Sequence, residues 1–349
     1  MERMKIFDPI HNFIEFNSVE QTLLQHPLLE RLRHIYQLGP AFHIYPGATH
    51  SRFIHTIGVM HVASLLFDHV AHTVFCSDDI LYHRQLVRIA ALLHDVGHFP
   101  LSHTAELFLP KHETIVEKVF DGTILDSIFF EVAHLYQKEF NQTKELIKNI
   151  ALGLPSKHPF LTQLIAHPFF GADRIDYLLR DSLFTGLSYG KIDLHQLIQS
   201  IYMDSNLELK VHKSGIPSCE ALLLARHWMH ERVYQHPKVR ALGYHYACVI
   251  TDVLRRREAL DDLDVFVKIN DHTIFNALED YPEHKEAIYN PNKRIRAVKF
   301  PIKEIENYNQ KSEEEVLVID IPKKRICQSF EGTRIRIEDE ECFWVYQKC

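Results

Sequence analysis

From about residue 18 to residue 265, apolar side chains recur at three- and four-residue spacing, as at Val59, Val62, Ala63 and Leu66 and again at Leu222, Leu223, Ala225, Trp228 and Met229. That period gathers them on one face of an α-helix and predicts a mainly helical protein. Leu207–Val211 alternates apolar and polar residues and runs into Lys213-Ser214-Gly215, which predicts a small hairpin between helices. Turn formers cluster at Tyr289-Asn290-Pro291-Asn292-Lys293. Beyond them Val316–Ile319 and Thr333–Ile337 read as strands, and Lys311–Glu315 as a solvated loop. The pattern therefore predicts a helical domain over 1–284, with its core over about 45–240, and a small α/β appendage over 285–349.

Composition narrows the class. A chain of 349 residues can bury a substantial core, and a formal charge of −7 supplies no bulk attraction to nucleic acid or anionic lipid. Cys76, Cys219, Cys248, Cys327, Cys342 and Cys349 are scattered without a Cys-x-x-Cys pair, which argues against a thiolate metal site and fits a reducing, cytoplasmic setting. The N-terminus has no signal-peptide apolar stretch, and no apolar run reads as long enough to cross a bilayer uninterrupted. No membrane is expected, nucleic acid is not the expected partner, and any anionic ligand must be held by specific residues.

The stretch Leu92-Leu93-His94-Asp95-Val96-Gly97-His98-Phe99-Pro100-Leu101-Ser102-His103 sets an imidazole beside a carboxylate, with two more imidazoles close behind. Such a pair suits a divalent metal, and the trailing histidines offer acid-base groups. Neighbours on a helix point about 100° apart, so other helices must complete the shell. His55 opens an amphipathic helix, and Asp173, Asp176 and Asp181 lie on another. The set His55, His94, Asp95 and Asp173 offers two nitrogens and two carboxylates, which suits Mn, Fe, Zn, Ni or Co. Each residue alone also has an ordinary reading: a histidine on a helix is commonly a surface or hydrogen-bonded core residue, and Asp173 has Arg174 and Arg180 near in sequence.

Together these blocks resemble the HD-domain metal-dependent phosphohydrolases, and within them the deoxynucleoside triphosphate triphosphohydrolase branch. The resemblance runs over roughly Lys5 to Lys238. It lies in Asp8-Pro9-Ile10-His11, Arg31-Leu32-Arg33, Gln37-Leu38-Gly39, Tyr45 to His55, His94 to His103, His112-Glu113, Asp173 to Asp181, and Arg226 through His230 to His236. It is closest to short, prokaryotic-type members, in which no sterile alpha motif precedes the HD domain. The resemblance implies an HD helical core. It also implies hydrolysis of deoxynucleoside triphosphates to deoxynucleoside and inorganic triphosphate, with His55, His94, Asp95 and Asp173 as metal ligands and Mg as a further candidate ion.

Carried over in the same way, Arg52, Arg174 and Arg226 grip phosphates with His98, His112 and Tyr177, a task suited to the planar guanidinium fork. Arg174 stands where the family's familiar member has lysine. Gln37, Leu38 and Asp181 hold the deoxyribose, Tyr234 stacks under the sugar, Gln235 faces the base, and His230 lines the pocket. His103 is the expected proton donor, and Glu113 orients a neighbouring imidazole. Arg180 reads as a surface ion-pair former, and Tyr234 by spacing alone also fits a core aromatic.

The resemblance further implies a homo-oligomer, dimeric or tetrameric. Of the residues forming the branch's regulatory nucleotide site, Lys5 and Arg33 have counterparts, whereas Gln25, Glu30 and Phe7 depart from it, so activation by guanine nucleotides is not expected. Two other readings share the same motifs: an HD phosphatase or phosphodiesterase acting on nucleoside monophosphates or another phosphoester, and a non-catalytic nucleotide-binding regulator.

Overall fold

The protein is described by a computed structural model covering residues 4–301, 318–320 and 342–347. The mainly helical expectation is met: helices dominate, and strands among the described residues form only three small antiparallel sheets. The first is an N-terminal hairpin, Met4–Asp8 with Asn12–Phe16, paired with Ile6 opposite Ile14. Its turn is built by Asp8, whose Oδ1 accepts the backbone N–H groups of Ile10 and His11 at 2.9 Å each, while Asn12 takes a left-handed φ of 61°. The helical periodicity gives no signal for this hairpin, although Ile6, Ile14 and Phe16 pack into the core.

At the centre of the fold, the Arg52–Val70 helix packs against the Ser77–Leu93 and Ala172–Thr185 helices, and Phe140–Leu152 packs on Ser77–Leu93. The central helix is not the amphipathic one expected. Thr56 through Met60 are all buried, because neighbours cover it on nearly every side. Its span Arg52–Thr73 is also long and apolar enough to cross a membrane by length and composition, although His55, His61, Asp68 and His69 interrupt it. Of its most apolar 18-residue window, 72% is buried inside the protein, as in a core helix. Gly58 permits the close packing: a Cβ there would overlap the carboxylate of Asp176 and the guanidinium of Arg180.

The second hairpin pairs Ile201–Met203 with Leu209–Val211. Its turn lies before Leu209, whereas Lys213–Gly215 forms a short turn leading into the Ile216–Met229 helix. After that helix the backbone widens at His230–Tyr234, where Gln235 N–H reaches back to His230 O at 2.8 Å, before Pro237 starts the next helix, Pro237–Arg256. Such wide turns re-aim side chains, and here they turn toward the site. A second core joins Phe99 and Leu101 to Leu242, Tyr246, Ile250 and Phe266. The third sheet, Arg296–Pro301, Cys342–Gln347 and Val318–Asp320 in that spatial order, rests through Trp344 and Tyr346 near Ala241. Val316, Leu317, Lys311–Glu315, Thr333–Ile337, Cys327 and Cys349 lie outside the described residues.

Candidate active site

Neither His94 nor Asp95 lies within the helix: Ser77–Leu93 ends just before them, and in the turn that follows both side chains face one point. His94 Nδ1 donates to Ala91 O at 2.7 Å, which directs Nε2 inward, where it is buried and makes no hydrogen bond. His55, in the first turns of the central helix, donates from Nδ1 to Asp176 Oδ2 at 2.8 Å. Its Nε2 faces Asp173 Oδ1 at 3.2 Å and Asp95 Oδ2 at 3.7 Å. His94 Nε2 lies 3.4 Å from Asp95 Oδ1 and 3.8 Å from Asp173 Oδ1. Thus His55, His94 and Asp173, with Asp95 beside them, surround one point.

The electrostatics agree with a cation there. Burial alone would lower the pKa of His55, yet the hydrogen bonds to Asp173 and Asp176 raise it to about 10. His94 is raised in the same way, burial being outweighed by Asp95 and Asp173, and both carboxyls are held well below their usual range by these histidines and, for Asp95, by Arg52. The field favours positive charge between the imidazoles and the carboxylates. An unpartnered buried imidazole nitrogen, two nitrogens and two carboxylates fit a divalent transition metal. Asp173 is the more open side, with 41% of its side chain exposed.

Behind His55 lies a buried network. Asp176 accepts from His55, from His11 Nε2 at 2.7 Å and from Arg180 Nε and Nη2 at 2.9 Å each, and Arg180 Nη1 donates to Asp8 Oδ2 at 2.8 Å. Arg180 is therefore no surface residue; it is fully buried, because the N-terminal hairpin covers it. Neither Asp176 nor His11 was singled out as functional from sequence, although Asp176 stands three residues after Asp173 on the same helix.

A second group flanks the first. His98 and His112 stack with ring centroids 3.5 Å apart and planes 24° apart, and His103 stands edge-on to both. Glu106 Oε1 accepts from His112 Nδ1 at 2.7 Å and His103 Nδ1 at 3.0 Å. The expected orienting residue, Glu113, is the lesser contact at 3.3 Å from His112 Nδ1. Glu106 takes that place because the short helix Ser102–Leu107 puts it one turn beyond His103. These four residues lie close enough to hold an ion, but near-parallel stacked rings cannot aim their in-plane lone pairs at one centre. They are better suited to moving protons. Burial, with Arg52 and neighbouring histidines, keeps the His98 pKa well below the ordinary value, and burial lowers His112. His103 is the accessible member, its side chain 63% exposed.

Arg52 joins the two groups. Its Nη1 donates to Asp95 Oδ2 at 2.5 Å and its Nε to Ser102 Oγ at 2.7 Å. Along the Ala172–Thr185 helix, Arg174 and Tyr177 come close to Arg226 and His230, and His230 is lowered to about 3 by burial and by the two arginines. Asp181 accepts from His50 Nε2 at 2.8 Å and Tyr234 hydroxyl at 2.7 Å, so Tyr234 is tied to the site rather than being only a core aromatic. Gln37 is held by its backbone N–H to His50 O at 2.9 Å, beside half-buried Leu38. Gln37 Oε1, His98 Nε2, Arg174 Nε and Nη1, His230 Nδ1 and Gln235 Oε1 are buried without hydrogen-bond partners. Isolated proteins rarely tolerate so many, and a polar ligand would satisfy them. At the expected regulatory position Lys5 is paired with Glu15 at 2.8 Å, and Arg33 is held by Glu30 at 3.0 Å over the Phe53 ring.

Comparison with known proteins places this geometry. Residues 52–178 match the HD domain model and residues 192–331 the HD-associated region. The chain is similar to an uncharacterized protein of Methanocaldococcus jannaschii, 35% identical over 68% of this chain and 47% of that one. It is also similar to the deoxynucleoside triphosphate triphosphohydrolase of Bos taurus, 25% identical over 88% of this chain and 58% of the relative. The chain thus spans about half the length of these curated relatives. Among solved structures, a hypothetical protein from Aquifex aeolicus superposes with a TM-score of 0.80 at 26% identity, covering 99% of this chain and 97% of that one. With the His-Asp pair at the heart of the matched domain and the associated region following it, the chain carries an HD domain followed by its HD-associated region.

Proposed function

We propose that this chain hydrolyses deoxynucleoside triphosphates to deoxynucleoside and inorganic triphosphate, as a homo-oligomer of the cytoplasm. The observation that carries the reading is the carboxylate-imidazole cluster together with Gln37, Asp181 and Tyr234, with Arg174 Nε and Nη1 and His230 Nδ1 buried without partners. His55, His94, Asp95 and Asp173 would hold Mn, Fe, Zn, Ni or Co, with or without Mg nearby. A bound divalent ion supplies Lewis acidity toward phosphate oxygens and a lower pKa for water. The name of the bovine relative, at 25% identity, supports the substrate class.

The chain's own residues then have distinct tasks. Arg52, Arg174 and Arg226 offset the charge that grows on the phosphate oxygens. Asp181, held by His50 and Tyr234, presents its remaining lone pairs to a sugar hydroxyl, while Leu38 and Gln37 close the sugar edge. His103, aimed by Glu106, delivers the proton that the departing 5′ oxygen requires, and His98 and His112 remain neutral beside it. The 1–284 and 285–349 division is proposed as catalytic domain and appendage.

The test is incubation of metal-loaded protein with each dNTP, NTP and dNMP, followed by identification of the phosphorus products. Triphosphate released from dNTPs alone is expected. Orthophosphate from monophosphates, or nucleotide binding without turnover across several metals, overturns the reading in favour of a phosphatase or a binding regulator respectively.

A further inference from the structure

The helix Asp271–Ala277 lies outside the matched HD domain, yet the side chain of its first residue reaches the candidate site's scaffold. Asp271 is 1% exposed. Its Oδ2 accepts the backbone N–H of Tyr36 at 2.7 Å, and its Oδ1 accepts the backbone N–H of Leu101 at 2.7 Å. One carboxylate thus ties together two segments remote from it in sequence. Tyr36 precedes Gln37, and Leu101 stands two residues before His103.

Leu101 and Ser102 both have left-handed backbones, with φ of 54° and 61°, a conformation that costs non-glycine residues free energy and persists only where the surroundings enforce it. Ser102 Oγ donates to Tyr36 O at 2.6 Å and accepts from Arg52 Nε at 2.7 Å. The two segments press together closely: a Cβ on Gly39 would come within 2.6 Å of Leu101 O. The route from Asp271 to Arg52 is therefore a continuous chain of hydrogen bonds, and the strained turn it secures ends at His103.

We propose that Asp271 is a positioning residue for the hydrolytic site, clamping the Tyr36–Leu38 segment to the strained Leu101–His103 turn so that Arg52 and His103 face the phosphate chain together. The claim rests on the phosphohydrolase reading of that site. Its cost in the fold is visible, since burial raises the Asp271 carboxyl to about 7 despite the two backbone N–H groups and the nearby cations Arg31 and Arg52. A carboxyl kept there against its own desolvation is explained by what it holds.

The test compares the full metal-loaded chain with Asp271→Asn and Asp271→Ala. Asparagine keeps the volume but turns an NH2 group toward one of the two backbone donors. The expected result is unchanged bound metal per chain, loss of hydrogen-exchange protection at both the Tyr36 and Leu101 amides, and a kcat about 10- to 100-fold lower, the scale of a small misplacement of catalytic groups. Unchanged kcat per folded, metal-loaded chain overturns the proposal, as does retained protection at those two amides. If Asp271→Ala does not fold, the asparagine variant decides. Inorganic triphosphate binding is measured in parallel, with about tenfold weakening expected in the asparagine variant. Wild-type protein that turns over no dNTP defeats the substrate reading alone; unchanged triphosphate affinity in the variant defeats the clamp.

Discussion

His55 Nδ1 donates to Asp176 Oδ2 at 2.8 Å, and this bond turns Nε2 of the same ring toward Asp95 and Asp173. A carboxylate behind a metal-binding histidine fixes its tautomer and raises its basicity. Asp176 also anchors Arg180 and, through it, Asp8, so a candidate ligand is wired to the N-terminal hairpin.

Replacing Asp176 with Asn removes the charge and places an NH2 group among donors. Metal affinity is expected to fall about 10- to 100-fold, the usual cost of losing such a partner. Equilibrium metal titration measures it directly. Affinity equal to wild type would show that Asp176 serves the fold through Arg180 and His11 and not the metal site.

Gly58 makes that network possible, since a Cβ there would overlap both Asp176 and Arg180. Gly58→Ala is expected to destabilise the fold by about 1–3 kcal/mol, in the range of core overpacking, although alanine is the better helix former. Chemical denaturation gives the sign. A variant more stable than wild type would mean that the network moves aside without cost.

What was legible in the sequence follows from how locally each role is specified. His94 and Asp95 announce themselves by adjacency, and the helical period exposes most of the core. Arg180 misled because Asp176 and Arg180 are spaced like an exposed helix pair; only the covering hairpin makes the pair internal, and a short hairpin with Asp8-Pro9 at its turn gives a weak strand signal. Glu106 was overlooked for a different reason: its value depends on two ring orientations, which no spacing rule encodes. Asp271 is the extreme case, a carboxylate whose partners are backbone N–H groups, invisible to any motif.

Glu106 and Glu113 offer a direct contrast. Glu106 receives both His103 and His112, and its carboxyl is held well below the usual range because those hydrogen bonds outweigh the burial that would raise it. Glu106→Gln is expected to reduce kcat about 10- to 100-fold with metal content unchanged, by releasing the imidazoles from their orientation. Glu113→Gln, the more distant partner, should cost far less. Steady-state kinetics on both variants checks the order, and a larger loss at Glu113 would reverse the assignment.

The histidine-rich interior also predicts how stability responds to acid. His245 is buried, its Nε2 accepts the Ile295 N–H at 3.4 Å, and its Nδ1 lies 3.2 Å from Nδ1 of His284, so a second proton would confront the Ile295 N–H. Burial, then His284 and Arg294, lower its pKa to about 4. With the unfolded value near 6.5, the unfolded chain takes up a proton first as pH falls, so this stabilisation is whole above about pH 6.5 and lost progressively toward pH 4. At pH 5 the loss from this one residue is about 2 kcal/mol. Denaturant unfolding at pH 7 and pH 5 should therefore show a smaller acid-induced loss in His245→Gln than in wild type, by about that amount. Histidines such as His98 and His112, which are also held neutral, supply a pH dependence common to both proteins. Equal losses in the two would mean that His245 takes up its proton in the folded state as readily as in the unfolded chain.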